Sequence, residues 1–198
     1  LPKDFVKLSD GKKIIETEEV VISTNTLNFE EYIDLRLLAF IMFVTNIGLV
    51  FDSLFSFLKE KKIDVFDLFY ECLKQKKSAP NEIMNVFDKF KKSTTDELWD
   101  SPEDIQNYFQ SQENYQKLLN GEEGINVLQH YQAMIIFDNM NKWTEFTLKI
   151  AESLLIKNNK FSLDIQNEFT DVGNYCRGLS FDPLNRNRMI EVPEFNFN

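Results

Sequence analysis

The feature that most constrains the fold of this chain is an apolar helical segment at residues 35–44, LRLLAFIMFV. Apart from Arg36, its side chains would be apolar on nearly every face of a helix, which is typical of a helix surrounded by other helices. Asn28 and Glu31 have the spacing of a capping box, so the helix is predicted to begin at Phe29. We therefore expect a helical domain built around this segment.

The composition favours helices along the rest of the chain as well. The 198 residues include 19 Phe but only 6 Gly and 5 Pro, and scarce turn residues favour long helices with short connections. Further helix start signals lie at Asp64, Pro80 and Ser101. The predicted fold class is mainly α, a multi-helix bundle with one or two short strands near the termini.

Three segments are expected along the chain. Residues 28–178 form the helical bundle, residues 1–27 hold a lead-in and a short strand at residues 14–23, and residues 179–198 form an irregular tail. The strand prediction depends on a Val-Val-Ile run with strong β propensity. A lone strand needs a pairing partner. Either a short strand in the tail, at residues 188–195, or a segment outside this chain could supply it.

Charge and cysteine content exclude several classes of protein. The formal net charge of −10 argues against a nucleic-acid partner, because phosphate binding draws on clustered Lys and Arg. The longest uncharged window, residues 37–51, is shorter than the roughly 18 to 20 apolar residues that a membrane span needs. Cys72 and Cys176 lie far apart, unlike the denser cysteines of secreted scaffolds. We expect reduced, mostly buried thiols in a cytoplasmic protein without a membrane span.

No catalytic, cofactor-binding or metal-ligating residue is predicted. A metal site needs several ligands at short spacings, and the one histidine, His130, has no second histidine a turn away. We interpret it as a partly buried imidazole bonded to a neighbour. Adjacent acids such as Glu122 and Glu123 are interpreted as solvated faces or helix-dipole partners. We expect that this chain alone is not an enzyme.

Arg36 is the charged residue that the helical pattern does not explain. The residues three and four positions away on either side include no carboxylate, so an ion pair within the helix is excluded. The guanidinium must reach water or meet an acid from another element. We predict a structural ion pair, and the functional alternative is an interdomain contact to a neighbouring domain or its ligand.

Residues 16–38, ETEEVVISTNTLNFEEYIDLRLL, carry a family resemblance. They resemble the region that follows the radical-bearing barrel in cobalamin-binding-domain radical S-adenosylmethionine proteins, a group that includes relatives of the anaerobic magnesium-protoporphyrin ester cyclase. The shared pattern is an acidic β-branched strand, a short Ser/Thr turn, and an acidic, aromatic and Arg-bearing start to a long helix. The matching residues are Glu18, Val20, Val21, Thr24, Leu27, Phe29, Glu30, Tyr32, Arg36 and Leu37.

The resemblance implies a non-catalytic helical C-terminal accessory domain of a cobalamin-dependent radical S-adenosylmethionine Fe–S oxidoreductase. Such a domain would cover or shape the substrate side of the missing barrel, and its partners would be the upstream domains of the same polypeptide, joined at residues 1–27. The 4Fe–4S cluster, S-adenosylmethionine and cobalamin are implied for that parent protein and not for this chain. The family motifs Cys-x-x-x-Cys-x-x-Cys and Asp-x-His-x-x-Gly have no counterpart here, so no catalytic residue is transferred.

Two other functions are compatible with the sequence. One is a free-standing helical module that binds a partner protein through an apolar groove. The other is a helical small-molecule binder, for which the aromatic-rich helices at residues 65–75 and 143–154 could line a pocket, although Phe at helical spacing also fits simple packing. This second alternative requires an aromatic-lined cavity of at least a few hundred Å³.

Overall fold

The computed structural model of the chain describes residues 1–183. The fold is mainly α-helical with a two-stranded antiparallel sheet near the N-terminus, so the predicted fold class is confirmed. In the described part of the chain, no helix combines the length and apolar character that a membrane span requires. The elements are β1 (Pro2–Lys7), β2 (Lys13–Thr17), α1 (Phe29–Thr45), α2 (Asp52–Glu60), α3 (Val65–Lys74), α4 (Asn81–Asp96), α5 (Pro102–Gln110), α6 (Gln112–Leu119), α7 (Val127–Met134), α8 (Met140–Lys157) and α9 (Leu163–Ser180), with a 3-10 turn at Lys76–Ser78 and a π-helical turn at Ile135–Asn139.

The chain divides into two compact units. Unit 1 comprises residues 1–36 and 88–130, and unit 2 comprises, among the described residues, 37–87 and 131–183. Helices α1, α4 and α7 each contribute residues to both units. The prediction of one bundle over residues 28–178 did not include this division.

Unit 1 begins with a β-hairpin. Strands β1 and β2 pair antiparallel, with Phe5 opposite Ile15. The connecting turn has Gly11 at φ +88°, a conformation that favours glycine, and the Leu8 amide donates to the Lys12 carbonyl at 2.8 Å. The hairpin supplies the partner that the predicted strand needed.

Two sequence predictions about this region are confirmed only in part. Residues 1–13 were predicted as a lead-in, but Pro2–Lys7 form strand β1. The strand predicted at residues 14–23 ends at Thr17, because β1 begins at Pro2 and offers nothing beside the Val-Val-Ile run to pair with. The predicted pairing partner at residues 188–195 lies outside the described residues.

Helix α5 covers the outer edge of β2 through side-chain hydrogen bonds. The Gln106 amide accepts from the Ile15 N–H at 3.4 Å and donates to the Ile15 carbonyl, and Gln110 Nε2 donates to the Lys13 carbonyl at 3.2 Å. In return, the buried Lys13 ammonium donates to the carbonyls of Gln110 (2.7 Å) and Ser111 (3.0 Å) at the end of α5. These bonds satisfy backbone groups that an edge strand and a helix end would otherwise leave unpaired.

The core of unit 1 joins the hairpin to α5 and α6. Helix α5 begins where the sequence predicted, since the Ser101 hydroxyl accepts from the Asp104 N–H at 3.1 Å. Its buried face then packs against the hairpin and the following helix. The buried members of this cluster are Ile15, Ile105, Phe109, Tyr115 and Leu118.

Unit 2 has an aromatic core around α8. Trp143 is fully buried and meets Phe87 edge to face, with ring centroids 5.9 Å apart. Phe87 in turn meets Phe40 of α1 at 6.4 Å. The aromatic side chains of α8 therefore form the core, in agreement with the packing interpretation of residues 143–154.

Helix α1 differs from its prediction in one respect. It begins at Phe29 as predicted, and the Asn28 and Glu31 side chains accept from each other's backbone N–H at 3.0 and 2.8 Å. However, a stripe of apolar residues at helical spacing, Leu35, Ala39 and Phe43, is exposed. The helix is thus not enclosed on every side in the described chain.

Candidate functional site

Arg36 meets a carboxylate from a different element of unit 1. Its Nη2 atom lies 3.3 Å from Glu97 Oε1, just beyond the end of α4, and the two side chains are 28% and 19% exposed. Arg36 Nε is buried and has no hydrogen-bond partner among the described residues. The structural ion pair predicted for Arg36 is therefore present, while an interdomain contact by the same residue stays a prediction.

The ion pair leaves the charge of Glu97 incompletely compensated. Burial raises the pKa of the Glu97 carboxyl, and the Arg36 guanidinium offsets only part of that rise. The reason is geometric, since a single contact at 3.3 Å is weaker than the bidentate arrangement that a guanidinium can make with a carboxylate. Glu97 is thus a partly desolvated acid at the surface of unit 1.

Glu97 lines a partly open cleft of about 430 Å³ that is built entirely from unit 1. We call it the unit 1 cleft. Its walls come from the N-terminal strand, the last turn of α4 and the residues after it, helix α5, the loop after α6 and the first turn of α7. Segments distant in sequence therefore form one concave surface.

Three aromatic side chains line one side of the cleft. Trp99 and Tyr108 have ring centroids 5.0 Å apart, and Tyr108 and Phe109 meet edge to face at 4.9 Å. Phe109 is buried in the unit 1 core, whereas Trp99 and Tyr108 are only partly covered. The two outer rings therefore present aromatic surface to the cleft.

A small polar network closes the side formed by the loop after α6. The Tyr108 hydroxyl donates to Glu123 Oε1 at 3.0 Å and accepts from Lys117 Nζ at 3.3 Å. The pKa of Lys117 is raised, mainly by this hydrogen bond and also by Glu123 at 3.4 Å. Gly124 allows the loop to pack close to Leu118 of α6, because its φ is +66° and a Cβ atom there would lie 2.7 Å from a Leu118 methyl group.

The other residues considered in the sequence lie elsewhere. His130 is exposed on α7, so the prediction of a partly buried imidazole is wrong. Cys72 and Cys176 are both buried, free thiols, as predicted. Burial raises the pKa of Cys176 to about 12, and it also raises the pKa of Cys72. Within residues 1–183, no group of three or more His, Cys, Asp or Glu side chains is arranged to hold a metal ion.

The sequence did not predict the unit 1 cleft. Its aromatic residues carry only weak signals: Trp99 stands in a short connection, and Tyr108 and Phe109 are adjacent on a helix, so they point in different directions. Glu122 and Glu123 were interpreted as solvated faces or helix-dipole partners. Only the fold brings these side chains to one surface.

No protein-family model, curated protein or solved structure matches this chain. The resemblance of residues 16–38 to cobalamin-binding radical S-adenosylmethionine proteins therefore stays a prediction.

Proposed function

We propose that this chain is a non-catalytic helical accessory domain whose N-terminal face is covered by another domain of the same polypeptide. The observation that carries this proposal is the exposure of large apolar side chains in residues 16–38. Val21 is 69% exposed, Leu35 is 52% exposed, and Ile22 and Phe29 are also exposed. These exposed apolar side chains fall within one short stretch of the sequence, and large apolar side chains left exposed are typical of interaction surfaces.

The surroundings of these residues fit a domain junction. Residues 18–28 form no helix or strand, and they link the hairpin to α1. Acidic side chains flank the apolar ones, with Glu18 and Glu19 before them and Glu30 and Glu31 at the start of α1. A covering surface with an apolar centre and a basic rim would complement this arrangement.

The resemblance assigns the covering domain to a class. The exposed apolar side chains fall in the segment that resembles the region after the barrel of cobalamin-dependent radical S-adenosylmethionine Fe–S oxidoreductases. The chain would then cover or shape the substrate side of that barrel. The 4Fe–4S cluster, S-adenosylmethionine and cobalamin would be bound by the upstream domains, and no residue of this chain is assigned to them.

The coding sequence upstream of Leu1 tests the class directly. We expect an upstream open reading frame that encodes the family motifs Cys-x-x-x-Cys-x-x-Cys and Asp-x-His-x-x-Gly. A start codon directly before Leu1 would overturn the accessory-domain proposal.

A matched pair of variants tests the interaction surface. Leu35→Ser and Leu119→Ser each remove one leucine of unit 1 with nearly equal exposure, 52% and 53%, but only Leu35 lies in the resembling segment. We expect Leu35→Ser to weaken binding of the separately expressed upstream domains roughly tenfold and Leu119→Ser to leave it unchanged, measured by calorimetry. If both variants bound the upstream domains equally well, the exposed apolar residues of 16–38 would not be the interaction surface.

Small-molecule binding is a second candidate function, and the unit 1 cleft is the observation that favours it. Its volume of about 430 Å³ and its three aromatic side chains reach the size and lining required above. The aromatic side chains lie within residues 99–109, however, and not in the helices at residues 65–75 and 143–154 that the sequence indicated. An accessory domain that shapes a substrate pocket could also hold a small molecule, so the two candidates are compatible.

A further inference from the structure

The carboxylates of the unit 1 cleft indicate the charge of its ligand. Four acidic residues line it, Asp96, Glu97, Glu122 and Glu123, and the described lining contains no Lys or Arg. All charged side chains of the described lining are therefore negative, and they would oppose the binding of a phosphate or carboxylate ligand. A cation or a neutral donor of hydrogen bonds would meet acceptors on several sides.

The cations that already pair with these acids do not fill the cleft. Arg36 reaches Glu97 and Lys117 reaches Glu123, but neither base lines the cleft itself. Lys92 pairs with Asp96 at an exposed site, where solvent screens the interaction. The direction of the Glu97 pKa, raised by burial in spite of Arg36, agrees with a carboxylate that a further cation would stabilise.

The aromatic side of the cleft favours an organic cation over a hydrated metal ion. Ammonium and guanidinium groups are attracted to the faces of Trp and Tyr rings, and an apolar stem gains from contact with the same rings. Lys117 does not cover the face of Tyr108, because its Nζ lies 3.3 Å from the hydroxyl and 5.7 Å from the ring centroid, at the hydroxyl end of the ring. A metal ion would need several converging ligands, and no group of three or more His, Cys, Asp or Glu side chains converges in this way among the described residues.

We propose that the unit 1 cleft binds a small organic cation, an ammonium or guanidinium group on an apolar stem. The ligand would lie with the rings of Trp99 and Tyr108 on one side and the carboxylates of Glu97 and Glu123 on the other. This inference rests on the second candidate function, small-molecule binding. It is independent of the accessory-domain proposal, which is tested on Leu35 and on the upstream coding sequence.

Three probes with one aromatic body and different charges test the ligand class on the unmodified chain. Benzylammonium, benzyl alcohol and benzoate are titrated while the two indole N–H signals are followed by NMR. Trp99 lines the cleft and Trp143 is buried in unit 2, so Trp143 is an internal control. We expect benzylammonium to shift the Trp99 signal and not the Trp143 signal, with benzyl alcohol binding roughly tenfold more weakly and benzoate not binding.

Several outcomes would overturn the proposal. Equal binding of benzylammonium and benzyl alcohol would show an apolar pocket without charge selection, and an unmoved Trp99 signal would show that the cleft binds no such cation. If a capped Ala-Ala-Lys-Ala-Ala peptide bound more tightly than benzylammonium, the ligand would be a lysine side chain of another protein and not a free small molecule. All of these experiments use the unmodified chain, so none of them requires a variant to fold.

Variants then locate the site. Glu97→Gln and Glu123→Gln are expected to weaken benzylammonium binding roughly fivefold each, because each removes one negative charge from the cleft. Glu113→Gln removes the same charge from an exposed position on α6 that does not line the cleft, and it should bind as the unmodified chain does. If Glu113→Gln weakened benzylammonium binding equally, the net charge of the chain and not the cleft would account for the effect, and this result would contradict the proposal.

Discussion

At the scale of single residues, Arg36 and Glu97 form a pair whose two members depend on each other. Each side chain is less than a third exposed, and each lacks the solvent contact that would make an isolated surface charge inexpensive. Removal of one partner of a buried pair leaves the other charge uncompensated. The pair is therefore better studied through pH than through a single loss of stability.

Arg36→Met should increase the cost of ionising Glu97. Burial holds the pKa of Glu97 above its ordinary value of 4.5, so the folded chain binds this proton more tightly than the unfolded chain. Stability then falls as the pH rises from about 4.5 through the folded pKa. Without Arg36 the folded pKa rises further, so the loss should be larger and should extend to higher pH. Urea denaturation between about pH 4 and pH 8 measures it.

The double variant provides the control for this prediction. Glu97→Gln removes the titrating group, so the pH dependence that Arg36→Met adds should disappear when both changes are present. An unchanged pH dependence in the double variant would assign the effect to another acid.

At the scale of elements, the β2 edge shows how a short sheet is stabilised by a helix. A two-stranded sheet is marginal on its own and leaves unpaired backbone groups at its edges. Here the glutamines of α5 occupy one edge, and Lys13 returns two hydrogen bonds to the helix end. The hairpin and α5 should therefore form or open together.

Gln106→Leu tests this mutual dependence. The change keeps the size of the side chain but removes both hydrogen bonds to Ile15, which leaves a partly buried backbone N–H and C=O unsatisfied. We expect a loss of about 1–3 kcal/mol in the free energy of unfolding and faster hydrogen exchange of the Ile15 amide. Asn107→Leu, at the exposed neighbouring position, should change neither. If Ile15 kept its protection in Gln106→Leu, the glutamine bonds would be dispensable.

Elements whose start signals are local could be predicted, and those that depend on pairing could not. The caps at Asn28 and Ser101 act within three residues, and both helices begin where expected. The Val-Val-Ile run had the strongest β propensity, yet it is not a strand, because a strand exists only beside a partner. The sequence PKDFVK has a weaker β propensity, but it forms β1 because the turn at Gly11 brings it beside β2, with which it pairs.

At the scale of the whole molecule, the residues that form a site come from parts of the chain that no local pattern connects. The need of Arg36 for an acid could be predicted from its neighbours, but Glu97 lies 61 residues away and is brought near only by the fold. The same holds for the cleft, where Trp99 and Tyr108 meet an acidic loop. Apolar periodicity predicts that residues are buried, and it does not say which buried faces meet or how the chain divides into units.

The two thiols report on opening of unit 2. Cys72 and Cys176 both belong to this unit, neither side chain has appreciable solvent contact, and burial raises the pKa of each. Attack on a disulfide reagent requires an exposed thiolate. At about pH 8 we therefore expect Ellman's reagent to modify neither thiol in the folded chain except through opening of the surrounding helices, and to modify both at once in concentrated urea.

The single variants Cys72→Ser and Cys176→Ser assign the two reactions. If α3 and α9 open as one cooperative unit, the remaining thiol should react at the same rate in either variant, and that rate should follow the denaturant dependence of global unfolding. A faster reaction of Cys176 at low urea would instead show that α9 detaches before the rest of the unit. Full modification of either thiol in the folded chain within the mixing time would contradict its burial.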